Sequence, residues 1–493
     1  MLYCRQDPDK HAFARRAEHT SLSLPERPKV IALHPYWSFW EKAYLGSLRA
    51  DKAALLQSAV AAIPGIECSA AVLLDEDSAC SRSVAEVPAE AILVVQSMAA
   101  PSTLTAQVLA LRPELPVVVW AIHERDALPD DFGHVGITSE GATVGTPQLL
   151  NLLQRQRRSH LLVLGRVYDP ECGQRVTHAL RAAAAAGRLK RARLGRVGQP
   201  LAGYACVDAE DHELARALGI SVVGIEAEAL RERYARVTEA RIEAAANEIR
   251  TSFSIAPELE GSLGFNRSIR LAVALEELDT ELRLDMGAMN CHVPELRFAP
   301  DPGVALCFAL GRETSRGIPW SCTGDVLTPI AMLTTRLLAG CAIYHEIEAL
   351  DYASNEALLA NSGEHDLGWL PAAGRPRLHR NPWFRTDAVC GACATYTPSP
   401  GPATLLAFTP HAAEPSGFRF AAAEGELTQR TFRRTGTFNA AFRFAAREGS
   451  VDRAWVQWAE AGVNHHASLA PGHLAFEVGL LARLLNVGFI QVT

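Results

Sequence analysis

Short apolar runs alternate with helical segments along the first two thirds of the chain, and this alternation most constrains its fold. The run KVIALHPYW from Lys29 precedes KAYLGSLRADKAALLQSAVAAI, in which apolar residues recur at helical spacing. AILVVQS, LPVVVWAIHE and LLVLGRV are further apolar runs, and LLVLGRV is expected to open a second α/β unit. Strands separated by helices in this way predict βαβ units with parallel sheets.

The composition and the length of the apolar segments change from about Arg375 onward. Pro, Gly, Thr and Phe become more frequent and the segments shorten, as in CATYTPSPGPATLLAFTP and GFRFAAAEGELTQRTFRR. Alternating apolar residues between turn residues predict antiparallel strands, in an open sheet or a small barrel.

The overall composition excludes several classes of protein. With 493 residues the chain is too long for one hydrophobic core, so two or three domains are expected. A net charge of -7 provides no basic field for nucleic acid. No apolar run approaches the roughly 18 residues of a membrane span. The N-terminal segment lacks the apolar core of a secretory signal, so a cytoplasmic protein is expected.

The 11 cysteines are odd in number and scattered, which is typical of reduced cytoplasmic thiols rather than of a disulfide framework. Cys390 and Cys393 form the single CxxC. A zinc site would require a second pair, and none follows. Two thiols beside a glycine turn are therefore expected.

Polar clusters adjoin apolar elements at four places: WSCTGDVLTP, YHEIEALDY, LLANSGEHDLGW and AEAGVNHHASLAPGH. Each has a structural explanation. Asp325 after a glycine suits a helix cap, and Glu346 and Glu348 would share one face of a strand. His465 and His466 could not both point the same way on a strand. Taken together, Asp, Glu and His form a ligand set suited to Mn²⁺ or Mg²⁺.

Three of these stretches resemble the L-fucose isomerase and L-arabinose isomerase family. TGDVLTPIAMLTTRLLAG resembles the Glu-x-Asp segment of the family and the helix after it. YHEIEALDYASNEALLANSG is similar to the segment in which a metal-binding carboxylate precedes an Asp and a short strand. WAEAGVNHHASLAPG resembles the C-terminal Gly-x-x-His-His turn. Their order and spacing carry the resemblance from roughly Lys29 to Thr493.

The resemblance implies two Rossmann-like parallel-sheet domains and a C-terminal domain with an antiparallel β-barrel that completes the active site. It also implies a homo-oligomer, a trimer or hexamer, in which the first domain covers the site of a neighbour. The expected divisions are an N-terminal extension at 1–28, two α/β domains at 29–158 and 159–330, and the barrel-containing domain at 331–493.

An aldose–ketose isomerase of this family acts on a small carbohydrate through an enediolate. A divalent ion, usually Mn²⁺, chelates O1 and O2 of the open-chain sugar, and a carboxylate moves the proton between C2 and C1. By resemblance, Glu346 is one ligand and His465 or His466 the histidine ligand. The expected catalytic residues are Asp325, Glu346, Glu364 and His365, and the expected substrate contacts are Thr323, Asn361 and Trp369.

Two positions depart from the family pattern. Thr323 stands where the family has a glutamate, and Asn361 stands where it has a histidine. Threonine supplies neither a charge for a hard cation nor a base, so Asp325, or the pair Glu364 and His365, would have to compensate. Two alternatives stay open: a lyase, epimerase or hydrolase that uses the same scaffold and a metal, and a sugar-binding protein without catalysis.

Overall fold

The computed structural model describes residues 27–41, 48–76, 84–371, 375–445 and 449–492. Two parallel sheets, a closed antiparallel barrel and one three-stranded sheet lie within these ranges. The predicted α/β class with a C-terminal barrel is therefore confirmed. Among the described helices, none has both the length and the apolar character needed to traverse a membrane.

The first parallel sheet has the strand order β2-β1-β3-β4-β5. Its central strands are buried along almost their entire length, which is why their sequences are nearly continuous apolar runs. Its elements are β1 (Lys29–Pro35), α1 (Arg49–Ala61), β2 (Glu67–Leu74), β3 (Ala91–Gln96), α2 (Ser102–Ala110), β4 (Val117–Ile122), α3 (His134–Ser139), α4 (Ala142–Arg155), β5 (His160–Gly165) and α5 (Pro170–Leu189).

The membership of β5 differs from the expectation. This strand, which we expected to open the second α/β unit, pairs in parallel with β4 over its whole length and completes the first sheet. The division expected between residues 158 and 159 therefore falls before the last strand of that sheet. An apolar run predicts a strand, but it carries no information about which neighbour the strand will pair with.

The second parallel sheet has the order β10-β9-β6-β7. The strand β8 lies between β7 and β9 in the chain but pairs elsewhere. The elements of this region are β6 (Arg193–Val197), α6 (Asp211–Leu218), β7 (Ser221–Ile225), α7 (Ala227–Arg236), α8 (Glu239–Ser252), β8 (Ser254–Ile255), α9 (Leu263–Leu282), β9 (Met286–Met289), α10 (Pro294–Arg297), α11 (Cys307–Arg316) and β10 (Trp320–Ser321).

The barrel is formed by six antiparallel strands in the order β15-β18-β11-β12-β17-β16, and it closes through the pairing of β16 with β15. The strand β19 adds to β16 in parallel, while β13 and β14 form the small sheet with β8. The elements are α12 (Thr328–Ala339), β11 (Ile343–Asp351), β12 (Glu356–Ala360), β13 (Arg377–Arg380), β14 (Ala392–Thr395), β15 (Gly401–Pro410), β16 (Phe418–Leu427), β17 (Asn439–Phe444), α13 (Val451–Glu460), β18 (His466–Pro471), α14 (Ala475–Leu485) and β19 (Gly488–Val492).

One hydrophobic core joins the second sheet to the barrel. Met289 and Trp320 of the sheet belong to the same buried cluster as Ile343 and Leu469 of the barrel. This shared core brings the carboxyl ends of β9 and β10 against β11 and β18. Ligands bind at the carboxyl ends of strands in open α/β sheets, so this junction is the place to look for a site.

Packing at Gly287 of β9 provides a test of this core. A β-carbon there would lie 2.5 Å from three atoms of the Trp320 ring, whereas one at Gly224 of β7 would meet nothing within 4 Å. We expect Gly287→Ala to lower the free energy of unfolding by about 1–3 kcal/mol through overpacking. Gly224→Ala, in the same sheet, should change it by only about 0.5 kcal/mol. Urea denaturation of both variants is the measurement, and equal effects would contradict the packing described.

Candidate metal centre

The register of two barrel strands places a carboxylate beside an imidazole. Glu346 on β11 and His466 on β18 are direct partners in the antiparallel ladder, so their side chains share one face. Glu346 Oε1 lies 3.4 Å from His466 Nε2. Tyr344, two residues before Glu346, is on the same face, and its ring centroid lies 4.8 Å from that of His466.

Asp325 reaches this pair from the second sheet through a tight turn. Thr323 and Gly324 both have left-handed backbone angles, with φ of 63° and 75°. The turn closes with a 3.0 Å hydrogen bond from the Asp325 N–H to the Cys322 carbonyl. A β-branched residue rarely adopts such an angle, and strained residues of this kind cluster at functional sites. The strained backbone at Thr323 therefore marks this turn as a candidate part of a functional site, although the Thr323 side chain carries no charge.

The Asp325 carboxylate is fully engaged. Its Oδ1 accepts the backbone N–H groups of Leu327 and Thr328 at 2.8 and 2.9 Å, which caps the start of α12. Its Oδ2 accepts the Thr328 hydroxyl at 2.7 Å and lies 2.8 Å from His466 Nδ1. Asp325 thus acts as the helix cap and orients the histidine. Asp325, which we expected to be catalytic, lies on the Nδ1 side of His466, whereas Glu346 lies on the Nε2 side.

His466 is held between two carboxylates. Burial opposes its charged form, but the hydrogen bonds to Asp325 and Glu346 raise the pKa of His466 to about 9. Burial also opposes charge on Glu346, yet the hydrogen bond to His466 keeps the pKa of Glu346 below its ordinary value. Without a metal, the Asp325–His466–Glu346 row therefore carries an imidazolium between two carboxylates near neutral pH.

His465 joins the centre from its open side. Its ring centroid lies 3.7 Å from that of His466, and Tyr204 and Cys206 border it on the exposed surface. Burial and the neighbouring charge of His466 lower the pKa of His465. We expected strand geometry to separate the two histidines. β18, however, begins at His466, so His465 precedes the strand and escapes its alternation.

Glu346, His465 and His466 can hold a divalent ion. Each offers one ligand atom, and these atoms all lie within 4.8 Å of one another. The hydrogen bond that the other nitrogen of His466, Nδ1, donates to Asp325 is the outer contact that metal-binding histidines usually have. Two imidazoles and one carboxylate suit Mn²⁺, Fe²⁺ and Zn²⁺.

The loop after β12 is closed by Asn361. The Asn361 amide donates to the carbonyls of Tyr344 and Glu364 at 2.8 and 3.0 Å, and its oxygen accepts the Gly363 N–H at 3.1 Å. The side chain is 1% exposed. Asn361 therefore stabilises the turn, and its polar atoms are engaged by the backbone rather than open to a substrate.

Glu364 points from this loop toward a group of buried thiols. Burial raises the pKa of Glu364, although hydrogen bonds from the thiols of Cys322 and Cys307 oppose that rise, and the charge of Glu346 adds to it. The thiol of Cys322 also forms a hydrogen bond with the thiol of Cys291. These three cysteines, Cys291, Cys307 and Cys322, form what we call the thiol wall. It was not predicted, because its members are far apart in the chain and no sequence motif surrounds any of them.

The rest of the loop turns away from the centre. The ring of His365 packs against Phe308 and Phe253, at centroid distances of 5.4 and 5.6 Å. Asp366 accepts the Ala342 N–H at 2.8 Å and pairs with Arg336. Trp369 is part of the hydrophobic core. His365 and Trp369, the residues expected in catalysis and substrate contact, are not part of the group formed by Glu346, His465 and His466.

Cys390 and Cys393, the two cysteines of the CxxC, are hydrogen-bonded to backbone carbonyls. Both are free thiols, and Cys390 donates to the Asn381 carbonyl at 3.3 Å while Cys393 donates to the Gly436 carbonyl at 3.6 Å.

The chain matches no protein-family model, and no curated protein matches it. A function must therefore be inferred from the side chains of this centre.

The burial of His365 generates a prediction about pH. Burial lowers its pKa from 6.5 to about 3, so the stability it allows is complete above pH 6.5 and is lost as the pH falls toward 3. We expect His365→Leu to gain up to about 2 kcal/mol relative to the wild type between pH 7.5 and pH 5. Phe253→Leu alters the same packing without removing a titrating group, and its effect should be equal at both pH values. Urea unfolding at the two pH values tests this, and a pH-independent His365→Leu effect would contradict it.

Proposed function

We propose that the protein is a metal-dependent enzyme of the aldose–ketose isomerase type that acts on a small carbohydrate. The observation that supports this most is the row Asp325–His466–Glu346, with His465 at its open side. Glu346 and the two histidines are the residues that the resemblance to the fucose and arabinose isomerases pointed to, and they come from separate parts of the barrel.

In this proposal Glu346, His465 and His466 hold the divalent ion, with Mn²⁺ the first candidate. When bound, such an ion supplies Lewis acidity at a carbonyl and hydroxyl pair of the sugar. Asp325 keeps the His466 ring oriented. Tyr344 covers the inner face of that ring and, at 3% exposure, keeps water from it.

Glu364 is the residue we propose for proton transfer. Isomerisation requires a group that takes a proton from one carbon and returns it to the next, and such a group works best with a pKa near the operating pH. Glu364 is 2% exposed, and its pKa is raised by burial and by the charge of Glu346. It has no carboxylate-pairing arginine or lysine among the described ion pairs, so it remains able to gain and lose a proton.

A second candidate is a metal-dependent hydrolase or lyase. Two histidines and one glutamate form the ligand set that activates water in many zinc enzymes. The set here has a single carboxylate because Asp325 is occupied by α12 and His466. Turnover of an ester or a hydroxy acid with Zn²⁺, and none of an aldose with Mn²⁺, would favour this candidate over the isomerase.

Metal content is the direct test of the centre. We expect the wild type grown with Mn²⁺ to retain about one ion per chain and Glu346→Gln and His466→Gln to lose it. Asp325→Asn should bind about 10–100-fold more weakly, because the histidine loses its orienting carboxylate. His365→Leu serves as the control and should retain the ion. Elemental analysis and calorimetric titration provide the numbers, and an unchanged content in all variants would refute the site.

Loss of the Glu364 carboxylate should separate catalysis from metal binding. We expect Glu364→Gln to keep the ion while kcat for the aldose that the wild type converts falls at least about 100-fold. Glu348→Gln removes an exposed carboxylate at the bulge of the same strand, β11, and is the control that should retain activity. Equal kcat in Glu364→Gln and the wild type would assign proton transfer to another group.

A further inference from the structure

A cavity lies at the opposite end of the parallel sheets from the candidate metal centre. It encloses about 480 Å³. Pro28 and Glu90 line it just before β1 and β3, and Asp285 and Ile318 line it just before β9 and β10. The amino ends of both sheets therefore border this cavity, while the candidate metal centre lies at the carboxyl ends of β9 and β10.

Arginines dominate the wall of this cavity. Five arginines line it together with two acidic residues, Glu90 and Asp285. Among the five, Arg181 is ion-paired with Glu477, Arg188 with Glu90, and Arg316 with Glu276 and Glu313. Asp285 is already committed, since it accepts the backbone N–H of Arg193 at 2.8 Å. The arginines come from α5 and the residues after it, from the end of α11 and from the last turn of α12: Arg181, Arg188, Arg191, Arg316 and Arg336.

Two of these arginines keep donors for a ligand. Arg336 uses Nη1 for Asp366 and for the Thr314 carbonyl, at 3.1 and 3.4 Å. Its Nη2 and Nε face Gly317 across the cavity wall, 3.5 and 4.0 Å from where a β-carbon would stand. The Arg191 guanidinium is exposed and forms no hydrogen bond or ion pair with any residue in the described ranges. Cationic donors thus face the space from more than one wall.

The geometry points to a binding site for a phosphomonoester, a small organic molecule with a terminal phosphate dianion. Guanidinium groups match phosphate oxygens with paired N–H donors and remain charged at all physiological pH values. The volume is in the range of small-molecule sites and exceeds that of a bare phosphate, so the ligand also has an organic body. The site is separate from the proposed metal chemistry and does not depend on it.

Calorimetric titration of the full chain with glucose 6-phosphate tests this site. EDTA in the buffer removes any contribution from a bound metal, and Glu346→Gln should bind equally well. We expect one site per chain and about tenfold weaker binding in both Arg191→Gln and Arg188→Gln. Arg191→Gln removes a donor, whereas Arg188→Gln removes a positive charge and takes the ion-pair partner from the Glu90 carboxylate that lines the cavity. Arg236→Gln removes a 73% exposed arginine on α7 and should leave the affinity unchanged.

Further titrations distinguish a site for a phosphomonoester from one that binds any small anion. Glucose should not bind, and inorganic phosphate should bind more weakly than glucose 6-phosphate. Equal affinity for inorganic phosphate or sulfate would mean an adventitious ion only and would overturn the proposal. No measurable binding of glucose 6-phosphate, or binding that Arg191→Gln and Arg188→Gln leave unchanged, would overturn it as well. Arg191 and Arg188 are exposed, so these variants should fold as the wild type does.

Discussion

The antiparallel pairing of β11 with β18 is the constraint on which the candidate centre depends. It sets Glu346 directly across from His466 and turns Tyr344 to the same face. A slip of one residue would send one of these side chains to the other face of the barrel wall. The same two strands contribute Ile343 and Leu469 to the core shared with the second sheet. Packing between the domains and ligand geometry are therefore fixed by one register.

The fold class could be predicted from the sequence because it follows from local periodicity. Buried parallel strands give unbroken apolar runs, and short apolar segments bounded by turn residues indicate antiparallel strands. Barrel closure was implied by the family resemblance rather than by periodicity, and the neighbour of β5 could not be predicted, because both depend on contacts between distant segments. The sequence contains the strands, but their partners are selected only when the whole chain packs.

The centre was predictable to a similar depth. Glu346, His465 and His466 could be selected from residue type and order, and the structure brings them together. The contacts of Asp325 and His365 could not be predicted, since they depend on the direction in which each side chain points. His365 follows Glu364 directly, yet one faces the aromatic core and the other the thiol wall. Neighbours in a tight loop diverge in this way without a signal in their sequence.

Asp325 both caps α12 and contacts His466, and the second contact determines which nitrogen of a neutral His466 ring carries the proton. Both ring nitrogens face carboxylates, which can only accept, so a neutral His466 keeps its proton where the contact is shorter, on Nδ1 at 2.8 Å from Asp325 rather than on Nε2 at 3.4 Å from Glu346. The lone pair is then left on Nε2, which faces Glu346. The tautomer of the imidazole is thus selected by an acid 141 positions away in the chain, whose other oxygen starts a helix.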